Sequence, residues 1–307
     1  MDKLSIYFHK DFDGMVSAAI LSSIFTKKYK DITFEYYPVD HDLKDNWLTI
    51  SLEKPAAVLD FFYHQDATYY YDHHSISFLE SSQAEAYEET QNTFVDTSFK
   101  STPAILRYKF KDVFDFEPFD ELLKWSDIID NADYQSPQEI YDNRSPYLHL
   151  NKLISHYYQD KTRLIEIIPY IMKHQIHSYL EKNHDLLAKI IEKERTIVEN
   201  FKTKTTLLDN ICVYDQSDVS IPFQRYLPYY YYPEVDYVCS IYRKYTHFAI
   251  VLSRNPWKEN SLINLGDVVK KYGGYGRLNV AGVLCDTHQE ATDLLETIIE
   301  QLKSVLN

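Results

Sequence analysis

The chain has 307 residues, of which 45% are hydrophobic, and a formal net charge of −14 at pH 7. This length is typical of two domains with cores of their own, and the acidic balance disfavours long duplex DNA as a partner, because sequence-independent nucleic-acid affinity comes mostly from Lys and Arg. With no apolar run of roughly 20 residues, no N-terminal secretory signal and three widely spaced cysteines, Cys212, Cys239 and Cys285, we expect a cytoplasmic protein that makes no membrane contact.

The first candidate site lies between a predicted strand and a predicted helix. The apolar residues 5–8 predict a buried strand, and residues 15–21 predict the opening of a helix. In an open α/β sheet the turn between them faces the ligand crevice. This turn carries an imidazole and two carboxylates that we interpret as metal ligands: His9, Asp11 and Asp13. We expect Gly14 to bend the backbone through a positive φ and so aim all three at one point. A turn in which Asp13 only caps the helix would explain one carboxylate.

Three further predicted strands follow, and two of them end in candidate ligands. The β-prone runs are residues 32–39, 56–60 and 68–72. The acids and histidines at their ends are Asp60, Asp72, His73 and His74. Carboxylates together with imidazoles suit divalent ions such as Mn²⁺, whereas a structural zinc site more often includes cysteine. Two ions held about 3.5–4 Å apart need a bridging carboxylate, and Asp60 is our candidate for it.

The order strand, helix, strand, strand, strand predicts an α/β fold with an N-terminal doubly wound parallel sheet. Residues 77–97 are polar and acidic, which predicts a solvated helix or loop. Residues 101–108 and 120–133 predict two helices. Residues 161–204 show sustained helical periodicity, which predicts a helical connector between two lobes.

Three acids recur at intervals of three in the predicted helix 120–133. They are Asp127, Asp130 and Asp133, and this spacing places them near one face of the helix. A solvent-facing acidic stripe would have the same pattern. The spacing therefore leaves open whether Asp127 or Asp130 is a metal ligand.

The second lobe is predicted to contain a small sheet and a glycine-rich loop. Its predicted elements are strands at residues 210–214, 235–242 and 246–253, a hairpin turn at Arg243-Lys244-Tyr245, a helix at 265–270 and a strand at 281–285. Four of the six glycines of the chain lie close together: Gly273, Gly274, Gly276 and Gly282. A loop of this kind can present successive N–H groups to a phosphate or let a nucleotide approach closely.

The N-terminal motifs resemble those of the DHH phosphoesterase superfamily. The matching residues are His9-x-Asp11-x-Asp13-Gly14, then Asp60, then Asp72-His73-His74. Ser126-Asp127 resembles the fourth acidic motif of RecJ-like members, which is a small residue followed by Asp.

The glycine-rich loop resembles the motif of the C-terminal DHHA1-type domain that accompanies this superfamily. Tyr275 stands in place of a glycine, and Arg277 stands where the family usually has histidine. Ser253-Arg254-Asn255 resembles the Arg-bearing strand end that precedes the loop in relatives. A guanidinium can make bidentate contacts with a phosphate, which imidazole cannot.

The resemblance implies three parts: a DHH domain at residues 1–150, a helical connector at 151–206 and a smaller α/β DHHA1-like domain at 207–307. It implies hydrolysis of a phosphodiester or phosphomonoester in a short single-stranded oligonucleotide or a small nucleotide through a metal-activated water, as in RecJ-type exonucleases and oligoribonucleases. The implied cofactor is two Mn²⁺ ions, with Mg²⁺ or Co²⁺ as alternatives.

The resemblance also implies roles for individual residues. The implied metal ligands are His9 and Asp11 for one ion, Asp13, His73 and Asp127 for the other, and Asp60 for both. We expect His74 to hydrogen-bond the phosphate or the leaving oxygen, and Asp72 to orient His73. The implied substrate contacts are Arg254, Gly273, Gly274, Gly276 and Arg277.

Two other functions remain open at the level of the sequence. One is a pyrophosphatase or polyphosphatase of the same superfamily. The other is a non-catalytic nucleotide-binding protein that retains the fold. The sequence also leaves open the exact substrate, the direction of attack on a strand, and whether the protein forms a homodimer.

Overall fold

The computed structural model describes residues 1–218, 225–244, 246–258 and 263–306. The chain divides into two compact units. Unit 1 consists of Met1–Tyr134 and Asp142–Ile190, and unit 2 consists of Gln135–Tyr141 and Ile191–Asn307. The predicted parts at residues 1–150, 151–206 and 207–307 refer to domains that fold independently, so these boundaries stay a prediction.

Unit 1 is built on a parallel five-stranded sheet. Its strands are β1 (Lys3–His9), β2 (Thr33–Val39), β3 (Ala56–Leu59), β4 (Ala67–Asp72) and β5 (Thr93–Val95). Their order is β2-β1-β3-β4-β5, and all neighbours run parallel. The predicted parallel α/β sheet is thereby confirmed. The strand order reverses between β1 and β3, and ligands of such sheets bind at that point, beyond the carboxyl ends of the strands.

The first part of the chain contributes one long helix and several short ones. They are α1 (Phe12–Lys28), α2 (Ser81–Ala86), α3 (Thr102–Phe110), α4 (Asp120–Asn131) and α5 (Pro137–Ile140). Helix α1 packs against α3 and α4, and it is buried along most of its length. The other face of the sheet is covered mainly by large side chains from loops and 3₁₀ turns, including Trp47, Leu52, Phe61 and Phe62.

After α6 (Pro146–His156), the predicted helical run at residues 161–204 forms three helices rather than one: α7 (Lys161–Met172), α8 (Ile176–Lys182) and α9 (His184–Lys204). Helix α7 ends before His174, which adopts a positive φ of 56°. Apolar periodicity continues across this break, and that is why the sequence alone predicted a single run. Helix α9 passes from unit 1 into unit 2.

Unit 2 contains a mixed six-stranded sheet. Its elements are β6 (Thr205–Leu208), β7 (Ile211–Asp215), α10 (Leu227–Tyr231), β8 (Tyr237–Lys244), β9 (His247–Arg254), α11 (Leu265–Lys270), β10 (Tyr275–Gly276), β11 (Val280–Cys285) and α12 (His288–Leu306). The strand order is β10-β11-β9-β8-β7-β6. Its core includes Ile250 and Leu252 of β9, together with Ile298 of α12. Tyr245 of the predicted hairpin turn lies outside the described residues.

Among the residues that the structure describes, no helix combines the length and apolar character needed to cross a bilayer.

Candidate metal centre

The turn between β1 and α1 brings His9 and Asp11 together. Asp11 is the N-cap of α1, and its side chain accepts a hydrogen bond of 3.0 Å from the backbone N–H of Gly14. Its other carboxylate oxygen lies 2.8 Å from Nδ1 of His9. Gly14 does not adopt the positive φ that we expected. Glycine is needed there for space, because a Cβ at this position would lie 2.0 Å from the carbonyl oxygen of His9.

Asp13 lies inside the first turn of α1 and is buried. Its carboxylate accepts hydrogen bonds from the backbone N–H of Thr102, at 3.0 Å, and from Oγ of Ser17, at 3.2 Å. Thr102 opens α3, so the N-terminus of that helix faces the carboxylate and favours its negative charge. Asp13 is therefore held from two helices and does not act as the helix cap.

Asp60 follows β3 and occupies the centre of the site. Its backbone is in the left-handed region, with φ of 55°, and its N–H donates to the carbonyl of Tyr71 at 3.0 Å. A non-glycine residue in this region is strained, and such strain persists where the surrounding structure fixes the conformation. One carboxylate oxygen lies 3.8 Å from Nδ1 of His9, and the other lies 3.6 Å from Nε2 of His73. Asp60 thus faces both histidines.

The segment after β4 supplies two histidines and the acid that holds them. Asp72 is buried and accepts a hydrogen bond from Ser77. We expected Asp72 to orient the His73 ring, but its carboxylate instead lies 2.9 Å from Nδ1 of His74 and accepts the backbone N–H of His73 at 2.9 Å. The His73 ring points the other way because Nε2 approaches Asp13 and Asp130, each at 3.3 Å.

The acid that α4 brings to the site is Asp130. Asp127, one turn earlier, accepts a hydrogen bond of 2.6 Å from Oγ of Ser101 and belongs to none of the ligand clusters found among the described residues. The structure thus places Asp130, and not Asp127 to which the sequence motif points, beside His73, and which of the two binds a metal ion stays a prediction.

Three overlapping sets of side chains could hold cations. Within each set the ligand atoms lie within 4.8 Å of one another, and the sets are His9, Asp11 and Asp60; Asp13, His73 and Asp130; and Asp60, His73 and His74. Three buried polar atoms at the centre lack a hydrogen-bond partner: Nε2 of His9, Oδ2 of Asp60 and Nε2 of His73. Buried polar atoms are normally paired, so these orphaned atoms fit a metal centre.

The two central histidines are strongly basic. Burial lowers the pKa of His9, but the carboxylates of Asp11 and Asp60 outweigh burial and raise the pKa to about 11. The same balance, with Asp13 and Asp60 as the carboxylates, raises the pKa of His73 to about 11. The carboxylates around both imidazoles therefore favour a positive charge at this site, which either a proton on the ring or a bound cation can supply.

The pKa values of two of the acids are raised above the usual range of a carboxyl group. Burial and the charge of Asp60 raise the pKa of Asp13 to about 7. Burial and the charge of Asp13 raise the pKa of Asp130 to about 7. This crowding of carboxylates is costly for a metal-free centre, and a divalent cation would relieve it.

A cavity of about 260 Å³ opens beside the cluster. Its lining includes His9, Asp60 and His74 of the cluster, and also His41 and Lys44 from the segment after β2. We did not predict His41 or Lys44 as site residues from the sequence. The available signal was their position just after a strand of the parallel sheet, because every such strand end meets the same crevice.

The glycine-rich loop of unit 2 has a structural reason for its glycines. Gly273 has φ of 76°, and a Cβ at Gly274 or Gly276 would lie within 2.6 Å of backbone atoms. The N–H groups of Gly273 and Gly274 donate to the carbonyls of Lys270 and Val269. These two amides already donate to backbone carbonyls, so neither is free to donate to a phosphate, as we expected this loop to do.

The two arginines of unit 2 that we predicted as phosphate contacts lie on backbone segments that neighbour each other. The backbone N–H of Arg254, at the end of β9, donates to the carbonyl of Asn279 at 2.9 Å. The N–H of Arg277 donates to the carbonyl of Val280 at 2.8 Å, and its side chain is exposed. Both residues therefore lie beside the start of β11, at the same end of the strands.

Comparisons with known proteins identify the fold. Neither the protein-family models nor the curated protein sequences give a match to this chain. Among solved structures, the pGpG-specific phosphodiesterase PggH from Vibrio cholerae matches with a TM-score of 0.76 and 17% identity, over 99% of both chains. RecJ from Thermus thermophilus, solved in complex with Mn²⁺, matches with a TM-score of 0.54 and 9% identity, over 98% of this chain and 52% of RecJ. The chain therefore has the DHH-type fold that its motifs predict.

Proposed function

We propose that this protein is a divalent-metal-dependent phosphodiesterase that cleaves a short oligonucleotide or another small nucleotide. The observation that carries this proposal is the meeting of acids and histidines from separate strand ends, with three of their buried atoms lacking a hydrogen-bond partner. Convergent carboxylates and imidazoles at the ligand-binding edge of a parallel sheet suit phosphoryl chemistry that depends on metal ions.

The arrangement suits two ions of the Mn²⁺ type, with Mg²⁺ or Co²⁺ as alternatives. We assign His9 and Asp11 to one ion, Asp13, His73 and Asp130 to the other, and Asp60 to both. The Asp60 assignment rests on its two oxygens, which face different histidines. When bound, such ions supply Lewis-acid chemistry, since they lower the pKa of a water and neutralise charge on a phosphoryl oxygen.

His74 has the geometry of a group that contacts the substrate. Its side chain is 49% exposed, and it lines the cavity beside the cluster. The hydrogen bond that Nδ1–H of His74 donates to the Asp72 carboxylate is the main cause that raises the pKa of His74 to about 9, so the ring is cationic near neutral pH. With Nδ1 held by Asp72, Nε2 can donate to a phosphate oxygen or protonate the leaving oxygen. Asp72 is then a positioning residue for His74.

The substrate class rests on charge and on the similar structures. A net charge of −14 disfavours sequence-independent binding of long duplex DNA. The similar structure of highest TM-score above is named a phosphodiesterase specific for pGpG, which is a small nucleotide. Arg254 and Arg277 of unit 2 stay proposed phosphate contacts.

A hydrolysis screen with Mn²⁺ tests the proposal. The substrates are pGpG, short RNA, short DNA, cyclic dinucleotides, 3′,5′-bisphosphorylated nucleosides and pyrophosphate. We expect cleavage of at least one short phosphodiester by the parent protein, and its loss with EDTA. Cleavage of pyrophosphate alone would instead identify a pyrophosphatase. Nucleotide binding without any hydrolysis would identify a non-catalytic protein and overturn the proposal.

A further inference from the structure

Two chemically different groups of residues line the cavity beside the metal centre. One group consists of candidate metal-site residues, including His9, Asp60 and His74. The other group consists of the rings of His41, Phe61 and Phe62, together with Lys44. Phe61 and Phe62 also pack in the core of unit 1, whereas the mechanism above gives His41 and Lys44 no role.

The ring of His41 is held in place by other rings. Its centroid lies 4.9 Å from that of His9, 5.8 Å from that of Phe61 and 5.5 Å from that of Phe62. The His41 residue is nevertheless exposed. An aromatic ring that packs against other rings and is still exposed to solvent can serve as a platform for a nucleobase.

Lys44 adds a positive charge to the part of the lining that contains His41. It lies one 3₁₀ turn after His41, and its Nζ lies 6.0 Å from the centre of the Phe62 ring. In the part of the chain that the structure describes, no carboxylate forms an ion pair with Lys44. In a strongly acidic protein, a lysine without a carboxylate partner at a cavity mouth suits the phosphate of a bound nucleotide.

The size of the cavity limits what can bind. Its volume of about 260 Å³ lies just below the range of about 300–1,000 Å³ that is usual for small-molecule pockets. A cavity of this size suits one nucleoside of the substrate.

We propose that this cavity is the subsite for one nucleoside of the substrate, with its base stacked on His41 and a neighbouring phosphate contacted by Lys44. The inference rests on the proposed phosphodiesterase function and assigns a substrate subsite within it. Through His41 and Lys44, this subsite favours nucleotides over phosphodiesters that carry no base.

The test is a cycle that combines base removal with mutation of His41. The probes are pGpG and two analogues, each of which lacks one of the two bases, all assayed with Mn²⁺. In the parent protein we expect removal of one particular base to raise KM roughly tenfold, which is the scale of one lost base–aromatic stack. In His41→Ala, KM for pGpG should rise by a similar factor, and removal of that same base should then have little further effect. His41→Phe keeps a flat ring and should restore most of the affinity.

A second pair of variants tests the lysine. Lys44→Ala should raise KM for pGpG several-fold, and Lys44→Arg should restore it because the charge is kept. Matched controls are His177→Ala on α8 and Lys30→Ala, an exposed lysine that precedes β2, whereas Lys44 follows that strand. Both controls should behave like the parent.

The outcomes separate this inference from the proposed function. If base removal and His41→Ala have additive effects for both analogues, no base stacks on His41 and the inference is overturned. If His41→Ala lowers kcat equally on all three probes and loses bound Mn²⁺, then His41 only supports His9 and the inference is again overturned. A parent protein that binds Mn²⁺ but cleaves no phosphodiester of the hydrolysis screen would overturn the proposed function, and the subsite with it.

Discussion

At the scale of single residues, Asp60 combines an unfavourable backbone conformation with a fully buried side chain. Its φ is 55°, and its side chain has no exposed surface. Burial and the charge of Asp11 raise the pKa of Asp60. These features are costly to folding, and they are explained if the carboxylate serves both halves of the metal centre.

Replacing Asp60 with Asn should therefore abolish binding of both ions together. The amide has the same shape but lacks the charge that two cations would share. The loss of a buried carboxylate should leave the metal-free protein at least as stable as the parent. Elemental analysis of purified protein measures the metal content, and thermal unfolding in EDTA measures the stability. Two Mn²⁺ ions per chain with normal hydrolysis would show that Asp60 does not bridge.

The choice between Asp127 and Asp130 gives a second prediction. Asp130→Asn should weaken Mn²⁺ binding and reduce hydrolysis, because Asp130 lies 3.3 Å from Nε2 of His73. Asp127→Asn, one helical turn away, is the matched control and should keep both properties, since its carboxylate only accepts a hydrogen bond from Ser101. Removal of one ligand or its supporting partner typically costs about 10–100-fold in metal affinity. The opposite ranking of the two variants would restore Asp127 as the ligand.

The stability of the metal-free protein should fall as the pH rises from about 4 to about 7. Asp13 and Asp130 have pKa values of about 7 when folded, against about 3.9 in an unfolded chain. Between these values the folded protein holds more protons than the unfolded chain, so the free energy of unfolding decreases with pH. Asp11, whose pKa is lowered, has the opposite effect only below about pH 4.

Denaturant titrations in EDTA at pH 4.5 and 7.5 measure this slope. The contribution of Asp130 is fully present below its unfolded pKa and is lost as the pH rises through its folded pKa. Asp130→Asn should therefore lose less stability than the parent between the two pH values. Identical slopes for the parent and the variant would contradict the raised pKa of Asp130.

At the scale of elements, the junction of β1 and α1 depends on Gly14. A Cβ at this position would meet the carbonyl oxygen of His9 at 2.0 Å. Alanine normally stabilises a helix relative to glycine, so a destabilising Gly14→Ala would reveal the clash. We expect a loss of about 1–3 kcal/mol, the usual cost of overpacking, together with weaker Mn²⁺ binding. Ser23→Ala on the same helix is the control and should change neither property. A more stable Gly14→Ala variant would contradict the clash.

The elements around the site were predictable where the sequence carries a local signal. Strands β1, β3 and β4 are short apolar or aromatic runs that end in an acid or a histidine, and periodicity alone identifies them. Strand β5 has only three residues and lies within a polar segment, so it was assigned to a solvated helix or loop. Helices α5 and α6 were not predicted as separate elements, because α5 has only four residues and α6 begins before the predicted connector at residues 151–206.

The geometry of the site depended on packing that no local pattern encodes. The position of Asp130, rather than Asp127, beside His73 follows from how α4 packs beside α1 and α3. The orientation of Asp72 toward His74 follows from the direction in which the chain leaves β4. Motif spacing limited the ligands to a few candidates, and tertiary contacts then selected among them.

At the scale of the whole molecule, every residue assigned here to the metal centre belongs to unit 1. The boundary between the units falls within the continuous helix α9, at residues 190 and 191. A cation that binds only the folded form of unit 1 should stabilise that unit by mass action, by about 2.7 kcal/mol at 100 times Kd. Unit 2 contains no assigned ligand and should gain nothing directly from the ion.

Hydrogen exchange with and without Mn²⁺ measures this difference along the chain. In the parent protein, peptides from β1, β3 and α1 should exchange more slowly when Mn²⁺ is added, because opening of unit 1 then requires release of the ions. Peptides from β8, β9 and α12 should exchange at unchanged rates. The Asp60→Asn variant is the control, and Mn²⁺ should leave its exchange unchanged in both units. Equal slowing in both units of the parent would show that they open as one cooperative structure. Slowing in unit 2 alone would contradict the assignment of the metal centre to unit 1.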